Sequence, residues 1–226
     1  GLMLFLQVAA LRAEITLHDD RGRDLVLERP AQRIISLAPH LTELLFAAGA
    51  GAKLVGTAAY SDYPEQARAI PAIGDSAALD IERIVALKPD VVLAWLSGNP
   101  PAEVVKLEQL GMRVLVTEPS SLAVIAEQIS LLGHLAGTER IADAAAAQFR
   151  GDIAALRRAY QGLRKVSVFY QMWHEPLITI NGQQVISEVI DLCGGQNIFA
   201  GVKALVPSVS LEAVLAADPE AIVTTS

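Results

Sequence analysis

The chain has 226 residues, 52% of them hydrophobic and 19% charged, enough apolar side chain for a large core in one domain or two. Its formal charge of −7 gives no basic footprint for a nucleic-acid backbone or an anionic lipid surface, and no run of Lys and Arg occurs, so nucleic acid is not an expected partner. A single cysteine, Cys193, excludes an internal disulfide and any CxxC metal site.

Residues 1–13 carry an apolar run, Leu2 to Leu11, broken only by Gln7. That is about half the roughly 20 residues a membrane-spanning helix needs, and small residues follow it, so it reads as the remnant of a signal peptide. The mature chain is expected in the periplasm, and without a nearby cysteine no lipid anchor is expected. Residues 15–27 place two alternating segments around Asp-Arg-Gly-Arg, a hairpin signature. Apolar β-rich runs at 33–37, 53–56, 90–95 and 113–116 then alternate with helical stretches at 41–48, 81–87, 102–110 and 122–135. This is the order of parallel βαβ units. From 138 to 163 there is no proline, and Phe149, Ile153, Leu156, Tyr160 and Leu163 recur on one helical face. The pattern predicts one long helix, capped by Thr138 and ended near Gly162; about 25 residues would span roughly 37 Å. A new strand opens at Lys165. The domain reading is therefore an N-terminal α/β lobe at 14–137, a connecting helix at 138–163 and a second α/β lobe at 164–226.

An internal repeat relates the two lobes. Asp80-Ile-Glu-Arg-Ile-Val-Ala-Leu-Lys-Pro89 aligns with Ser210-Leu-Glu-Ala-Val-Leu-Ala-Ala-Asp-Pro219, each a capped helix leading into a buried strand. Leu41 to Gly49 aligns with Ile186 to Gly194 in the same chain order. The second lobe is the shorter, and a lobe stopping just past a buried strand would leave a sheet edge uncovered. It is read as incomplete, with the natural protein expected to continue.

The sequence contains no GxSxG, GxxxxGK[ST], HExxH or strand-borne GxGxxG motif, so no catalytic residue and no metal site is expected. His18 and His134 fit surface or helix-end positions, whereas His40 and His174 sit at strand ends, where a ligand role stays open. Ligands of open α/β sheets bind beyond the carboxyl ends of the strands, and in a two-lobed molecule both sets of ends can face one cleft. Tyr60 and Tyr63 follow one strand, Trp95 ends another and enters a loop with Gly98 and Asn99, and Tyr170 and Trp173 lie on or past a third. A large aromatic entering a Gly-bearing loop suits a flat wall for a planar ligand. Strand alternation leaves Tyr170 equally open to core and wall.

Four segments carry a resemblance: Tyr60-Ser-Asp-Tyr-Pro-Glu-Gln-Ala67; Ile81-Glu-Arg-Ile-Val-Ala-Leu-Lys-Pro-Asp90; Ala94-Trp95 with Gly98-Asn99; and Cys193-Gly-Gly-Gln-Asn-Ile-Phe199. From about Arg33 onward the chain resembles the periplasmic cobalamin-binding proteins of ABC importers, within the wider helical-backbone group that also serves haem and ferric siderophores. The resemblance implies two α/β lobes with mostly parallel sheets bridged by one long helix. It implies capture of cobalamin or a related corrinoid as transported ligand rather than cofactor, delivery to a dimeric transmembrane permease, and a monomeric binding protein. Tyr60 and Trp95 would line the corrinoid pocket, and Glu82 and Glu212 would face permease arginines. Ser76, Ile178 and Val206 depart from the family pattern, which has Trp, Phe and Trp there; Trp173 and Tyr170 are the candidates for replacement surface. The Cys193 match points to a disulfide partner in a further C-terminal segment. Two alternatives remain open: haem or a ferric siderophore as cargo, and, in another class, an enzyme or ligand-sensing regulatory module on a related fold.

Overall fold

The computed structural model describes residues 14–75 and 78–224; the signal-peptide reading of residues 1–13 and the departure at Ser76 lie outside the described residues. The chain is mixed α/β and divides into two compact units. One holds the residues up to Glu118 together with Ser130–Ala142, the other Pro119–Ile129 with Asp143 onward.

The first unit opens with the expected hairpin, β1 (Ile15–His18) antiparallel to β2 (Asp24–Leu27), with Ile15 opposite Leu27. Its turn is organised by buried Asp19, whose Oδ1 accepts the main-chain N–H groups of Arg21 and Arg23 at 2.9 Å. The Arg21 guanidinium bridges Asp19 and Glu108 at 2.7 and 2.8 Å. Burial alone would push the Asp19 carboxyl up, but the Arg23 amide and the Arg21 side chain outweigh it and leave the group below its ordinary range.

Next come β3 (Ile34–Ser36), α1 (Pro39–Ala47), β4 (Leu54–Thr57), α2 (Ile81–Ala86), β5 (Val91–Trp95), α3 (Pro101–Gln109) and β6 (Val114–Thr117). The four strands form a parallel sheet in the order β4-β3-β5-β6. Parallel strands covered by helices read as continuous apolar runs, and β5 is buried from Val91 through Ala94. On one face Ile35, Val92, Val114 and Val116 pack with Ile84 of α2 and Val104 and Leu107 of α3. Proline opens α1 and α3, where a missing N–H loses nothing.

Two helices follow, α4 (Leu122–Ala136) and α5 (Glu139–Tyr160), the latter 22 residues and so roughly 33 Å long. A Cβ on Gly133 would lie 2.3 Å from that of Ala142, so glycine there lets α4 and the start of α5 approach. Gly162 takes φ +82 just past α5, as expected of a helix terminator. The Thr138 hydroxyl, just before α5, donates to the carbonyl of Ala48 at 2.7 Å and so ties the start of that helix to the end of α1.

The second unit contains β7 (Val166–Gln171), a short antiparallel pair β8 (Trp173–His174) and β9 (Leu177–Ile178), α6 (Val185–Leu192), β10 (Gly195–Asn197), α7 (Leu211–Ala217) and β11 (Ala221–Thr224). Its parallel sheet has the order β10-β7-β11, the order of β4-β3-β5. The repeat extends to local detail. The Asp80 and Ser210 side chains each accept the N–H three residues on, from Arg83 and Ala213. Lys88 and Asp218, each before a proline, adopt left-handed φ of 46° and 43°, a conformation that costs a non-glycine residue about 1–2 kcal/mol. Gly49 and Gly194 end α1 and α6 at φ 75° and 81°. The duplication expected from the sequence is therefore present in topology and in backbone geometry.

Candidate ligand-binding site

The carboxyl ends of β3, β5 and β6 lie side by side, so the residues just past them share one edge of the first unit's sheet. Trp95 ends β5, half-buried, and is restrained on every side. Its main-chain N–H donates to Oδ1 of Asn99 at 2.7 Å, and the Asn99 amide donates onward to the Leu37 carbonyl at 3.0 Å. Its indole Nε1–H donates to Glu118 at 3.2 Å. The His40 ring meets it edge-on, with centroids 5.1 Å apart and planes at 83°. Gly98 lies directly against the ring: a Cβ there would come within 1.8 Å of it. Trp95, Gly98 and Asn99 thus form one constructed loop, with Gly98 giving room for the indole and buried Asn99 tying it to β3. Beside it lies a cavity of about 180 Å³, lined by Trp95, Asn99, Val104, Val116, Arg21 and Arg23. This is below the roughly 300–1,000 Å³ of drug-sized ligand pockets, so the cavity is not by itself the seat of a corrinoid-sized molecule.

His40 follows β3 by four residues. Burial lowers its pKa from 6.5 to about 4, and the charge of Glu118 opposes that shift only in part. The ring is neutral at pH 7, and its Nε2 is buried without a hydrogen-bond partner.

Tyr60 stands on the separate loop after β4, 83% exposed, with Tyr63 beside it at 68%. The Tyr60 backbone is left-handed, φ 66°, unusual for a bulky residue and concentrated at functional sites. A buried hydroxyl chain holds the loop: Ser36 Oγ donates to the Ala38 carbonyl at 2.8 Å, Thr42 Oγ1 lies 3.0 Å from Ser36 Oγ, and Ser61 Oγ lies 3.1 Å from Thr42 Oγ1.

In the second unit Tyr170 is 8% exposed and packs among Val168, Ile180 and Ile190; burial raises its phenol pKa. It lines an apolar hollow of about 490 Å³ with Ile186, Val189 and Val223. Trp173 points its ring to solvent at 55% exposure from the β8-β9 pair, its Nε1–H held by the Glu175 carbonyl at 3.0 Å. Ile178 pairs with Trp173, and Val206 is exposed at 45%.

Glu82 and Glu212 are exposed second residues of α2 and α7, one in each unit. The carboxyl of Glu212 is held below its ordinary range by its own main-chain N–H and then by the Ser210 hydroxyl. Both helix starts are capped, by Asp80 and by Ser210, and both glutamates are exposed. The sequence reading missed Glu118, whose single signal is that it follows β6, next to the strand that Trp95 ends. Among the described residues no cluster of three or more His, Cys, Asp or Glu could hold a metal, and no helix is long and apolar enough to cross a membrane.

A family model described as periplasmic binding protein matches residues 34–226. A vitamin B12-binding protein of Vibrio campbellii is 44% identical over 191 residues, covering 84% of this chain and 70% of that protein. The solved periplasmic vitamin B12 binding protein BtuF of Vibrio cholerae superposes with a TM-score of 0.81 at 43% identity, covering 87% of this chain and 77% of that one. The periplasmic heme-binding protein RhuT from Roseiflexus sp. RS-1 follows at 0.77 and 27% identity, covering 86% and 76%. With the family match spanning most of the chain and relatives above 40% identity, the chain belongs to the periplasmic binding protein family.

Proposed function

We propose that this chain is the periplasmic component of an ABC importer that captures cobalamin or a related corrinoid and delivers it to a transmembrane permease dimer. The observation that carries the reading is the braced face of Trp95, a flat aromatic surface fixed at the carboxyl end of the sheet. A corrin ring offers broad, flat faces that such a surface suits. The relatives above 40% identity support the choice of cargo. Tyr60 is the second candidate contact in the first unit; in the second unit the exposed Trp173 is the candidate, whereas Tyr170 is buried in that unit's core. Glu82 and Glu212 act in docking to the permease and not in ligand capture. The protein works as a monomer that binds and releases its cargo unchanged.

Haem is the rival cargo, because the exposed Tyr60 phenol could ligate iron and a heme-binding relative shares the fold. Titration with cyanocobalamin, haemin and a ferric siderophore separates the readings. Saturable cyanocobalamin binding that the other two do not displace is the expected result; tight haemin binding with weak cyanocobalamin binding would overturn it.

A further inference from the structure

We infer that Glu118 is a positioning residue for ligand recognition, a carboxylate clasp that fixes the Trp95 indole and is itself held by the N-terminal hairpin. The inference rests on the reading of Trp95 as the ligand wall. Glu118 follows the last residue of β6 and sends one carboxylate oxygen to each of two donors: Oε1 accepts the Trp95 indole N–H at 3.2 Å, and Oε2 accepts the main-chain N–H of Ser97 at 2.9 Å. A single side chain thereby closes the loop that leaves β5, spanning Trp95 to Ser97. Bonds to an ionised acceptor are the stronger kind, and two of them at fixed spacing set orientation as well as energy.

The backbone of Glu118 is fixed from the other side. Its N–H donates to Asp20 Oδ2 at 2.6 Å, and Asp20 in turn donates its own N–H to the Val116 carbonyl at 2.9 Å. Asp20 lies in the β1-β2 turn, which the Asp19–Arg21–Glu108 ion pairs pin to α3. The hairpin strands pair with each other and not with the parallel sheet; besides burying Leu17, Leu25 and Leu27, the hairpin braces Glu118 and so has a part in the site. The indole is left one orientation, between Glu118, the Gly98 backbone and the His40 ring edge. A preorganised aromatic binds more tightly because its rotamer freedom is already lost before the ligand arrives.

The test uses the full chain with two readouts, hydrogen exchange of the Trp95 indole N–H by NMR, assigned through Trp95→Phe, and calorimetric affinity for cyanocobalamin. Glu118→Ala should speed indole exchange and weaken cyanocobalamin binding roughly tenfold, the scale of one lost charge-assisted hydrogen bond. Glu118→Gln keeps an acceptor for the indole and should recover most of both. If Glu118→Ala does not fold, Glu118→Asp, too short to reach the indole, takes its place with the same two shifts expected. Unchanged indole exchange overturns the inference. So does faster exchange with wild-type affinity while Trp95→Ala binds weakly, a result that leaves the wall reading standing. Wild-type affinity in Trp95→Ala overturns the wall reading itself.

Discussion

Gly98→Ala is the smallest change that should dislodge Trp95, the proposed ligand wall. The φ of Gly98 lies outside the left-handed region, so the backbone itself accepts an alanine. The obstacle is the indole: the new Cβ would sit 1.8, 2.2 and 2.4 Å from Cε3, Cζ3 and Cδ2 of Trp95. Carbon contacts settle at about 3.5–4.0 Å, so the ring must retreat by roughly 1.5–2 Å. The indole–Glu118 bond is already 3.2 Å long, and a shift of that size takes it past the roughly 3.5 Å at which a hydrogen bond ends. Overpacking of this kind costs about 1–3 kcal/mol of stability, readable as a lower urea midpoint. Cyanocobalamin affinity measured by calorimetry should fall ten- to a hundredfold, the range for displacing a central aromatic contact. A double-mutant cycle isolates the cause. If Gly98 acts only through the ring, Gly98→Ala has no further effect in a Trp95→Ala background. Wild-type affinity in Gly98→Ala, or full additivity with Trp95→Ala, refutes the reasoning.

His40 should make stability fall on mild acidification. Its folded pKa of about 4 lies below the ordinary value because burial disfavours the imidazolium, so between about pH 6.5 and 4 the unfolded chain takes up a proton that the native state does not. The difference amounts to about 2 kcal/mol lost from pH 7 to pH 5, and urea titrations of wild type against His40→Gln should show the variant free of that loss; equal losses in both would contradict it. Charge reversal of both proposed docking carboxylates, Glu82→Arg with Glu212→Arg, should abolish uptake in whole cells, since repulsion at an interface costs several kcal/mol. Cyanocobalamin affinity of the purified variant should stay within about twofold, and either surviving uptake or lost ligand binding would return both residues to the role of dipole-compensating helix starts.

The strands and helices of the first unit were legible because their residues alternate between continuous apolar runs and helical spacing, and a covered parallel sheet requires that pattern. Trp95 was legible as a strand end for the same reason. What was not legible depends on pairing between distant segments. Thr138 precedes a helix, but its bond to the carbonyl of Ala48, 90 residues away in sequence, exists only because the folded chain brings that acceptor there. The left-handed backbone of Tyr60 rests on Ser36, Thr42 and Ser61, three hydroxyls from a strand, a helix and a loop, with no local signature. Tyr170 was undecided because strand alternation does not say which face is inward until Ile180 and Ile190 are seen to pack on it.

The repeat separates what the scaffold needs from what a ligand needs. Both units keep the strand order, the side-chain caps at Asp80 and Ser210, the left-handed residues at Lys88 and Asp218, and the outward carboxylates at Glu82 and Glu212. Polar side chains near the strand ends are used differently. In the first unit Asn99 holds the main chain of Trp95 and Glu118 holds its indole. In the second, Asn197 donates to the Ile180 carbonyl and to Ser187, Asn181 donates to Val202, and Thr179 donates to the Tyr170 carbonyl, so the polar groups satisfy backbone while the aromatic sinks into the core. Helix-start chemistry alone would conserve the caps and leave the acids free to drift, since a first-turn carboxylate contributes only about 0.3–1 kcal/mol. The exposed acid at the same helical position in each half is therefore the feature on which the proposed docking role of Glu82 and Glu212 rests.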